Sequence, residues 1–170
     1  MKNKLFLIYS WLVRSLFFFL PDIPFIMRFR GWLYGLPMIK CGKDFQVTHD
    51  ARLTGLQWMA VGNHVFIGNL SIIFAHGMIT LEDEVLIGPM CMLSGGNHTK
   101  SNGSYRYGQA KISSIRICAG SWIGANCTVI GGAVLPKGSV LGANSLLSRK
   151  CDISDSIYGG VPANLITPKL

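Results

Sequence analysis

Aliphatic residues recur at every sixth position over the second half of the chain, a spacing that few folds can use. The run consists of Ile117, Ile123, Val129, Leu135, Leu141, Leu147 and Ile153. Small residues follow in step four positions later, at Ser121, Cys127, Ala133, Ser139, Ser145 and Cys151. Neither the helical period of about 3.6 nor the alternation of a strand produces this pattern. It predicts a solenoid of short parallel strands, in which three six-residue faces close one triangular coil.

The same spacing begins earlier and is interrupted. It runs through Cys41, Val47 and Leu53, then Val61, Ile67 and Ile73, then Leu81, Ile87 and Leu93, with a two-residue slip between the sets. It stops over residues 95–114, which are polar and rich in Gly and Ser. A segment of that length is too long for a turn, so we predict an exposed functional loop. About five coils over residues 37–157 follow from the repeat, with 158–170 as a tail outside it.

Positive charge is concentrated at the start of the chain. The net charge is +8, and eight of the sixteen basic residues lie in the first 52 positions, with none at positions 53–99. Residues 1–36 are apolar and basic, and we predict a helical segment that either caps the solenoid or lies on an anionic membrane surface. The apolar run is too short to span a bilayer and contains Arg14. Nucleic acid is not an expected partner, because no nucleic-acid motif is present.

The five cysteines do not indicate disulfides or zinc. Their number is odd and no C-x-x-C spacing occurs. Cys91, Cys127 and Cys151 occupy the small position of the repeat, so we interpret them as free thiols used as small core residues. Free thiols of this kind are typical of a reducing cytoplasm.

Two motifs make the chain resemble the hexapeptide-repeat acyltransferases, whose domains are left-handed parallel β-helices. Residues 121–126, SWIGAN, are similar to the W-I-G-x-x motif of that family, and residues 159–164, GGVPAN, are similar to its A-G-x-P-A-[KR] motif. The resemblance covers residues 38–168. It implies an all-β, left-handed parallel β-helix preceded by the helical segment, and a homotrimer with sites between subunits. The apolar, basic N-terminus is similar to that of capsule and O-antigen acetyltransferases.

The resemblance also implies a chemistry. His98, at the entrance of the polar loop, matches the catalytic histidine of the sugar O-acetyltransferases, with acetyl-CoA as the co-substrate. A sugar hydroxyl needs a base before it can attack a thioester, and an imidazole titrates in the right range. The backbone N–H of Ala125, after the W-I-G glycine, would stabilise the oxyanion.

Further residues are assigned to the two substrates. For the acceptor these are Asn69, His76, Asn97, Tyr105 and Arg106, where His76 either lines the acceptor groove or orients His98. For acetyl-CoA they are Trp122, Gly124, Ala125, Gly131, Gly142, Lys137, Arg149 and Lys150. Trp122 offers a flat apolar surface, the glycines let a ligand approach the backbone, and the basic residues suit its phosphates. Lys137 is equally well explained as an ordinary turn lysine.

These observations favour an O-acetyltransferase that modifies a cell-surface polysaccharide or its precursor, in free or lipid-linked form, at the inner face of the cell membrane. The alternatives are a soluble sugar or serine acetyltransferase and a structural or binding solenoid without catalysis. A zinc hydratase on the same solenoid is disfavoured, because three converging histidines would be required and His98 has no nearby partner in sequence. No metal is expected.

Overall fold

Two helices precede the strands in the computed structural model, which describes residues 2–168. Helix α1 spans Lys2–Phe17 and helix α2 spans Pro24–Gly35. Pro24 lies in the first turn of α2. A proline is favourable there because its fixed φ suits the helix and its missing N–H would have had no partner. Pro21, which cannot continue a helix, lies in the linker between the two helices.

The strands are short and parallel, apart from two hairpins. In chain order they are β1 Lys40–Cys41, β2 Gln46–Val47, β3 Arg52–Thr54, β4 Met59–Val61, β5 Phe66–Ile67, β6 Ile72–Phe74, β7 Ile79–Leu81, β8 Leu86–Ile87, β9 Met92–Ser94, β10 Gly96–His98, β11 Ala110–Ile112, β12 Ile115–Ile117, β13 Trp122–Ile123, β14 Thr128–Ile130, β15 Val134–Leu135, β16 Val140–Leu141, β17 Leu146–Leu147, β18 Ser156–Gly160 and β19 Ala163–Pro168. The first face of the solenoid contains β1, β4, β7, β12 and β15. The second contains β2, β5, β8, β13, β16 and β18, and the third contains β3, β6, β9, β14 and β17.

The six-residue repeat sets the register of the coils. On the second face Val47 pairs with Ile67, Ile67 with Ile87, Ile87 with Ile123, and Ile123 with Leu141. All five side chains are fully buried. The small residues of the repeat from Ser121 to Cys151 are buried as well. Five complete coils and the start of a sixth therefore enclose one aliphatic core within residues 40–160.

Both two-residue slips and the long loop lie at the same edge of the prism. We number the edges by the faces that they join. The first edge is the turn between the first and second faces, and the second edge is the turn between the second and third faces. The third edge is the turn by which the chain leaves the third face and enters the first face of the next coil. Val61 pairs with Cys41 and Leu81 with Val61, so the early coils contain 20 residues, whereas Leu135 pairs with Ile117, only 18 residues further on. The extra residues form a short turn at Leu56–Trp58, its counterpart at 75–78, and the loop at 95–114.

Helix α2 lies across the open end of the first coil. Gly31 makes this possible, because a Cβ at that position would lie 1.9 Å from the carbonyl oxygen of Phe45. The guanidinium of Arg30 is buried and donates to the carbonyl oxygen of Val47 and, at 3.0 Å, to Asp22. The hydrogen bond to Val47 satisfies one of the backbone carbonyl groups that a solenoid otherwise leaves unpaired at its open end. Helix α2 therefore packs on the first coil.

The last coil departs from the repeat. Ile153, predicted to point inward, is 47% exposed, whereas Tyr158, predicted to lie outside the repeat, is 4% exposed. Tyr158 pairs with Leu141 in β18, and its hydroxyl donates to the carbonyl oxygen of Ile153 at 2.7 Å. Both expectations were wrong because the aromatic ring of Tyr158 fills the end of the core. Strand β19 then pairs antiparallel with β18 and closes the chain as a hairpin.

Candidate active site

The polar segment 95–114, which we call the arm, forms a β-hairpin that leaves the third edge between the third and fourth coils. In its two strands Asn97 pairs with Lys111 and His98 with Ala110. The hairpin continues with a hydrogen bond from the N–H of Thr99 to the carbonyl oxygen of Gln109 at 3.3 Å. Most arm residues are exposed. The predicted loop is therefore an ordered hairpin that projects from the prism.

His98 lies at the end of the first arm strand with its side chain in solvent. Its backbone N–H donates to Oδ1 of Asn97 at 2.9 Å, so Asn97 partly fixes the local backbone. Among residues 2–168 no side chain or carbonyl accepts from or donates to the His98 imidazole. Both ring nitrogens are therefore available to a substrate, which is what a general base requires.

His76 lies beside the base of the arm. A Cβ at Gly96 would lie 3.2 Å from both Cβ and Cδ2 of His76, so the arm passes directly over this side chain. Residues two apart in a strand point to the same side. Gly96 and His98 therefore lie on the same side of the strand, and this side faces His76. His76 stacks on Phe74 with a ring-centroid distance of 6.2 Å, which holds the imidazole in place.

The tip of the arm carries the other acceptor candidates. Tyr105 is 61% exposed and lies 6.0 Å from the ammonium group of Lys100. The guanidinium of Arg106 lies 5.8 Å from the ring of Tyr107. These aromatic and cationic groups are available for sugar stacking and hydroxyl contacts, although they lie beyond His98 along the hairpin.

Three of the residues assigned to acetyl-CoA lie at the third edge, above the arm. Gly131 packs against the base of the arm, since a Cβ there would lie 2.9 Å from Cβ of Ser113. The carbonyl oxygen of Arg149 accepts from the N–H of Val134 at 3.4 Å. The guanidinium of Arg149 donates to the side-chain oxygen of Asn164. Lys150 forms an exposed ion pair with Asp152 at 3.2 Å.

The remaining candidates lie elsewhere on the prism. Trp122 is half exposed on the outside of the second face, between Leu86 and Val140. Gly124, Ala125 and Gly142 form the second edge, and Lys137 lies at the first edge. A Cβ at Gly124 would lie 2.7 Å from the nitrogen of Ala143, whereas one at Gly142 would meet nothing closer than 3.5 Å. Of these two glycines, only Gly124 is therefore required by close packing of the coils.

Asn69 also lies at the second edge, away from the arm. Its amide donates to Asp22 at 3.1 Å and to Asp50 at 3.3 Å. Asn69 therefore contributes to the attachment of the linker between α1 and α2. Within one subunit the structure does not bring Asn69 close to His98, because the two residues lie at different edges.

An acidic cluster that sequence reasoning missed holds this linker. Asp22 accepts from the N–H of His49 at 2.8 Å, and its other oxygen lies 2.7 Å from Nδ1 of His49. Partial burial would raise the pKa of Asp22, but its hydrogen bonds to His49, Asn69 and Arg30 outweigh this effect and hold the pKa below its usual value. His49 lies in a turn, and its imidazole is engaged by Asp22. No sequence pattern joins two residues so far apart.

The thiol of Cys91 is enclosed in the core and is not activated as a nucleophile. The five cysteines are free, as predicted, and Cys91, Cys127 and Cys151 are buried. The thiol of Cys91 donates to the carbonyl oxygen of Gly124 at 3.0 Å. Its hydrogen bond with Cys127, together with burial, raises the pKa of Cys91. A thiol that is protonated and enclosed in the core does not act in catalysis.

Comparison with known proteins decides the fold family. No protein-family model matches the chain. WcaF of Escherichia coli (strain K12), named as a colanic acid biosynthesis acetyltransferase, is 22% identical over 157 residues, which are 92% of this chain and 78% of that protein. A hexapeptide-repeat containing acetyltransferase from Vibrio cholerae, solved in complex with acetyl coenzyme A, is similar with a TM-score of 0.82 and 20% identity, over 97% of this chain and 87% of that one. The chain has the fold of the hexapeptide-repeat acetyltransferases.

A further solved structure supports the same conclusion. A maltose O-acetyltransferase from Clostridium difficile 630 is similar with a TM-score of 0.82 and 19% identity, over 99% of this chain and 90% of that one. The predicted all-β parallel solenoid with an N-terminal helical segment is therefore confirmed, and the resemblance to this family is confirmed at the level of the fold.

The described residues contain neither a candidate metal site nor a membrane-spanning helix. Within residues 2–168 no group of three or more His, Cys, Asp or Glu residues is placed to hold a metal ion. No helix in the same part of the chain has both the length and the apolar character needed to cross a membrane.

Proposed function

We propose that the protein is an acetyl-CoA-dependent O-acetyltransferase that acts on a sugar hydroxyl of a cell-surface polysaccharide or its precursor. The observation that carries this proposal is the position of His98. Its imidazole is exposed and has no partner among residues 2–168, on a hairpin that projects from a solenoid with the acetyltransferase fold. The likeness to WcaF supports a polysaccharide acceptor, and the likeness to the maltose enzyme supports a sugar hydroxyl.

His98 acts as the general base in this mechanism. Its neutral imidazole accepts the proton of the acceptor hydroxyl as the oxygen attacks the acyl carbonyl carbon, and the imidazolium returns that proton to the departing thiolate. When bound, acetyl-CoA supplies the thioester from which the acetyl group is transferred. The backbone N–H of Ala125 makes no hydrogen bond to residues 2–168, so it is free to donate to the oxyanion.

The second edge and second face offer a fitting surface for acetyl-CoA. The indole of Trp122 is half exposed and flat, and the backbone at Gly124 and Gly142 carries no side chain to obstruct a pantetheine arm. Away from this surface, Arg149 and Lys150 at the third edge and Lys137 at the first edge are exposed cations suited to its phosphates. Lys137 has no carboxylate within ion-pair distance among the described residues, so its ammonium group is available.

The site requires more than one subunit. His98 belongs to the third edge, whereas Gly124 and Ala125 belong to the second edge of the same chain. They meet only if the third edge of one subunit packs against the second edge of the next. A contact between two different surfaces is heterologous and closes when it forms a ring. This geometry supports the proposed homotrimer with sites between subunits.

Exposed apolar residues mark the surface that such a ring would cover. Leu86 and Trp122 are 42% and 49% exposed on the second face, and Leu70 and Met90 protrude at the second edge. Leu70 and Met90 also have φ near +58°, a conformation that such residues rarely adopt. Strain at an exposed apolar position is typical of a surface that has a partner. The ratio of sedimentation-equilibrium mass to chain mass tests the trimer directly.

We further propose that the protein works at the inner face of the cell membrane, in peripheral contact through residues 1–36. A polysaccharide precursor attached to a lipid would be found there. Support comes from α1, α2 and the linker between them, which expose Trp11, Phe19 and Trp32 among other large apolar side chains.

The experiment for the proposed activity combines binding with turnover. Calorimetric titration with acetyl-CoA is carried out on the full-length protein and on His98→Gln, followed by thiol release in the presence of acceptor sugars. We expect affinity to be unchanged within about twofold, because His98 is not part of the cofactor surface. We expect turnover to fall by about 10²- to 10⁴-fold, as for the loss of a general base.

His64→Gln is the matched control, since His64 is an exposed histidine at the first edge of the second coil. It should retain both binding and turnover. Absence of acetyl-CoA binding by the folded oligomer would remove the acetyltransferase proposal and favour a structural or binding solenoid. Full turnover by His98→Gln would show that another group is the base.

A further inference from the structure

The described surface of the protein is unevenly apolar. Large apolar side chains that are exposed crowd the helical end, at Leu5, Leu7, Ile8, Trp11, Leu12, Leu16, Phe18, Phe19, Leu20, Ile23, Phe25, Phe29, Trp32, Leu36 and Ile39. They lie on α1, on α2, and in the segments that follow each helix, and together we call them the helical face. Patches on soluble monomers rarely exceed a few hundred Å². This helical face therefore requires an apolar partner.

Positive charges predominate in the segment that forms this face. Among the first 43 residues the sequence contains seven basic residues but a single acidic one, Asp22. Asp22 is paired with Arg30 and His49. No unpaired carboxylate is thus available in this part of the chain to repel an anionic surface.

A groove joins the apolar face to the first coil. It has a volume of about 1,060 Å³ and lies between α2 and β1. Arg28, Lys40 and Lys43 line it together with Trp32 and Leu36. Arg28 is paired with Asp44, whereas Lys40 and Lys43 are exposed and form no ion pair within residues 2–168. The groove therefore offers two free ammonium groups next to an exposed indole and an exposed leucine.

We propose that this groove binds the phosphate headgroup of an anionic membrane lipid through Lys40 and Lys43, while the apolar side chains of α1 and α2 enter the bilayer. The two lysines belong to the first coil and its edge, outside the helical segment. Trp32, at the border between the groove and the apolar face, occupies the position that tryptophan favours at the interface between lipid and water. Phosphate recognition and apolar insertion thus occur side by side.

The charge pattern argues against the other partners for this face. A second copy of the chain placed symmetrically on it would bring two sets of unpaired lysines together, which is unfavourable. A nucleic acid would satisfy the lysines but would leave the leucines and phenylalanines of the helices uncovered. An anionic bilayer satisfies both groups.

The lipid site bears on where the proposed acetyl transfer takes place. The lipid site itself does not depend on the proposed function; only this placement of the acceptor does. The arm leaves between the third and fourth coils, so His98 stands about 10 Å further along the prism axis than the first coil, given the spacing of stacked strands. The acceptor sugar would then be modified close to the membrane surface.

The test is vesicle co-sedimentation of the full-length protein. Vesicles of phosphatidylcholine alone are compared with vesicles that also contain phosphatidylglycerol. The groove variant is Lys40→Gln combined with Lys43→Gln, and the matched control is Lys100→Gln combined with Lys111→Gln, which removes two equally exposed charges from the arm. A lysine near an anionic surface contributes about 1 kcal/mol, so the groove variant should bind phosphatidylglycerol vesicles about thirtyfold more weakly. The arm variant should change by less than about twofold.

Three outcomes would overturn the lipid site, and a fourth would bear only on the proposed acetyl transfer. Equal losses in both variants would mean that only overall charge matters. Binding to phosphatidylcholine that matches binding to phosphatidylglycerol would remove the headgroup site. Binding of inorganic phosphate by a protein that does not bind vesicles would make the groove a site for a soluble anion. Loss of acetyl transfer while vesicle binding persists would refute the proposed function and leave the lipid site standing.

Discussion

The fit of α2 against the first coil can be tested by adding one methyl group. In Gly31→Ala the new Cβ would lie 1.9 Å from the carbonyl oxygen of Phe45 and 2.7 Å from its carbon. Contacts between such atoms are comfortable at about 3.5 Å, so α2 must retreat by about 1.5 Å or the coil must distort. Alanine itself favours a helix over glycine by about 1 kcal/mol. Overpacking of this kind costs about 1–3 kcal/mol, and here the obstacle is backbone.

The retreat of α2 has a second cost. It would lengthen the bonds from the buried guanidinium of Arg30 to Asp22 and to the carbonyl oxygen of Val47. Hydrogen bonds that involve a charged group contribute about 1.5–3 kcal/mol each, and part of that is lost. The clash therefore outweighs the propensity gain, and we expect a net destabilisation of about 2 kcal/mol.

Urea unfolding followed by circular dichroism measures this change, with Gly142→Ala as the control. At Gly142 a Cβ would meet nothing closer than 3.5 Å. The control should therefore unfold like the wild type or be more stable by up to about 1 kcal/mol. The reasoning fails if Gly31→Ala is as stable as Gly142→Ala. If Gly31→Ala is destabilised as expected, the wall of the lysine groove has moved, and binding to phosphatidylglycerol vesicles should weaken too.

Two further predictions concern the core and the linker. Ile123→Ala should destabilise the protein by about 2–5 kcal/mol, because the side chain is fully buried. Ile153→Ala should change the stability by less than about 0.5 kcal/mol, because that side chain is half exposed. Thermal unfolding measures both changes, and equal losses would mean that Ile153 points inward as an unbroken repeat requires. The pKa of Asp22 is lowered by folding, so its contribution to stability is complete above the usual value of 3.8 and is lost as the pH falls below it. The free energy of unfolding should therefore fall less steeply between neutral and acidic pH in Asp22→Asn than in the wild type. The same fall in both proteins would contradict the role of Asp22 in holding the linker between α1 and α2.

The repeat predicted most of the solenoid because the six-residue spacing decides directly which side chains point inward. Val129 and Leu147, three hexads apart, are paired in neighbouring coils as the pattern requires. Counting in the same way from Cys41 assigns both slips and the arm to one edge, so this signal was present in the sequence. The pattern failed at Ile153, because at an open end an aromatic ring from beyond the repeat, Tyr158, could fill the core instead.

The candidate site was predictable in part. The position of His98 and the exposure of its segment follow from the interruption of the repeat, but the hairpin geometry that turns Gly96 toward His76 does not. The pairing of Asp22 with His49 was also beyond sequence reasoning, since it depends on where the linker between the helices comes to lie. Asn69 appeared suited to sugar hydroxyls, yet its amide is engaged with Asp22 and Asp50.

The sequence by itself determined the coil path, the aliphatic core and the free cysteines, because periodicity fixes side-chain direction locally and repeats it. Only the tertiary structure decided how α2 closes the first coil, which residues lie at which edge relative to the arm, and how Lys40 and Lys43 come to border the apolar helices. Those relations depend on contacts between segments that share no sequence period, such as Gly31 with Phe45. Their geometry is set by packing and hydrogen bonding across the fold rather than by any local pattern.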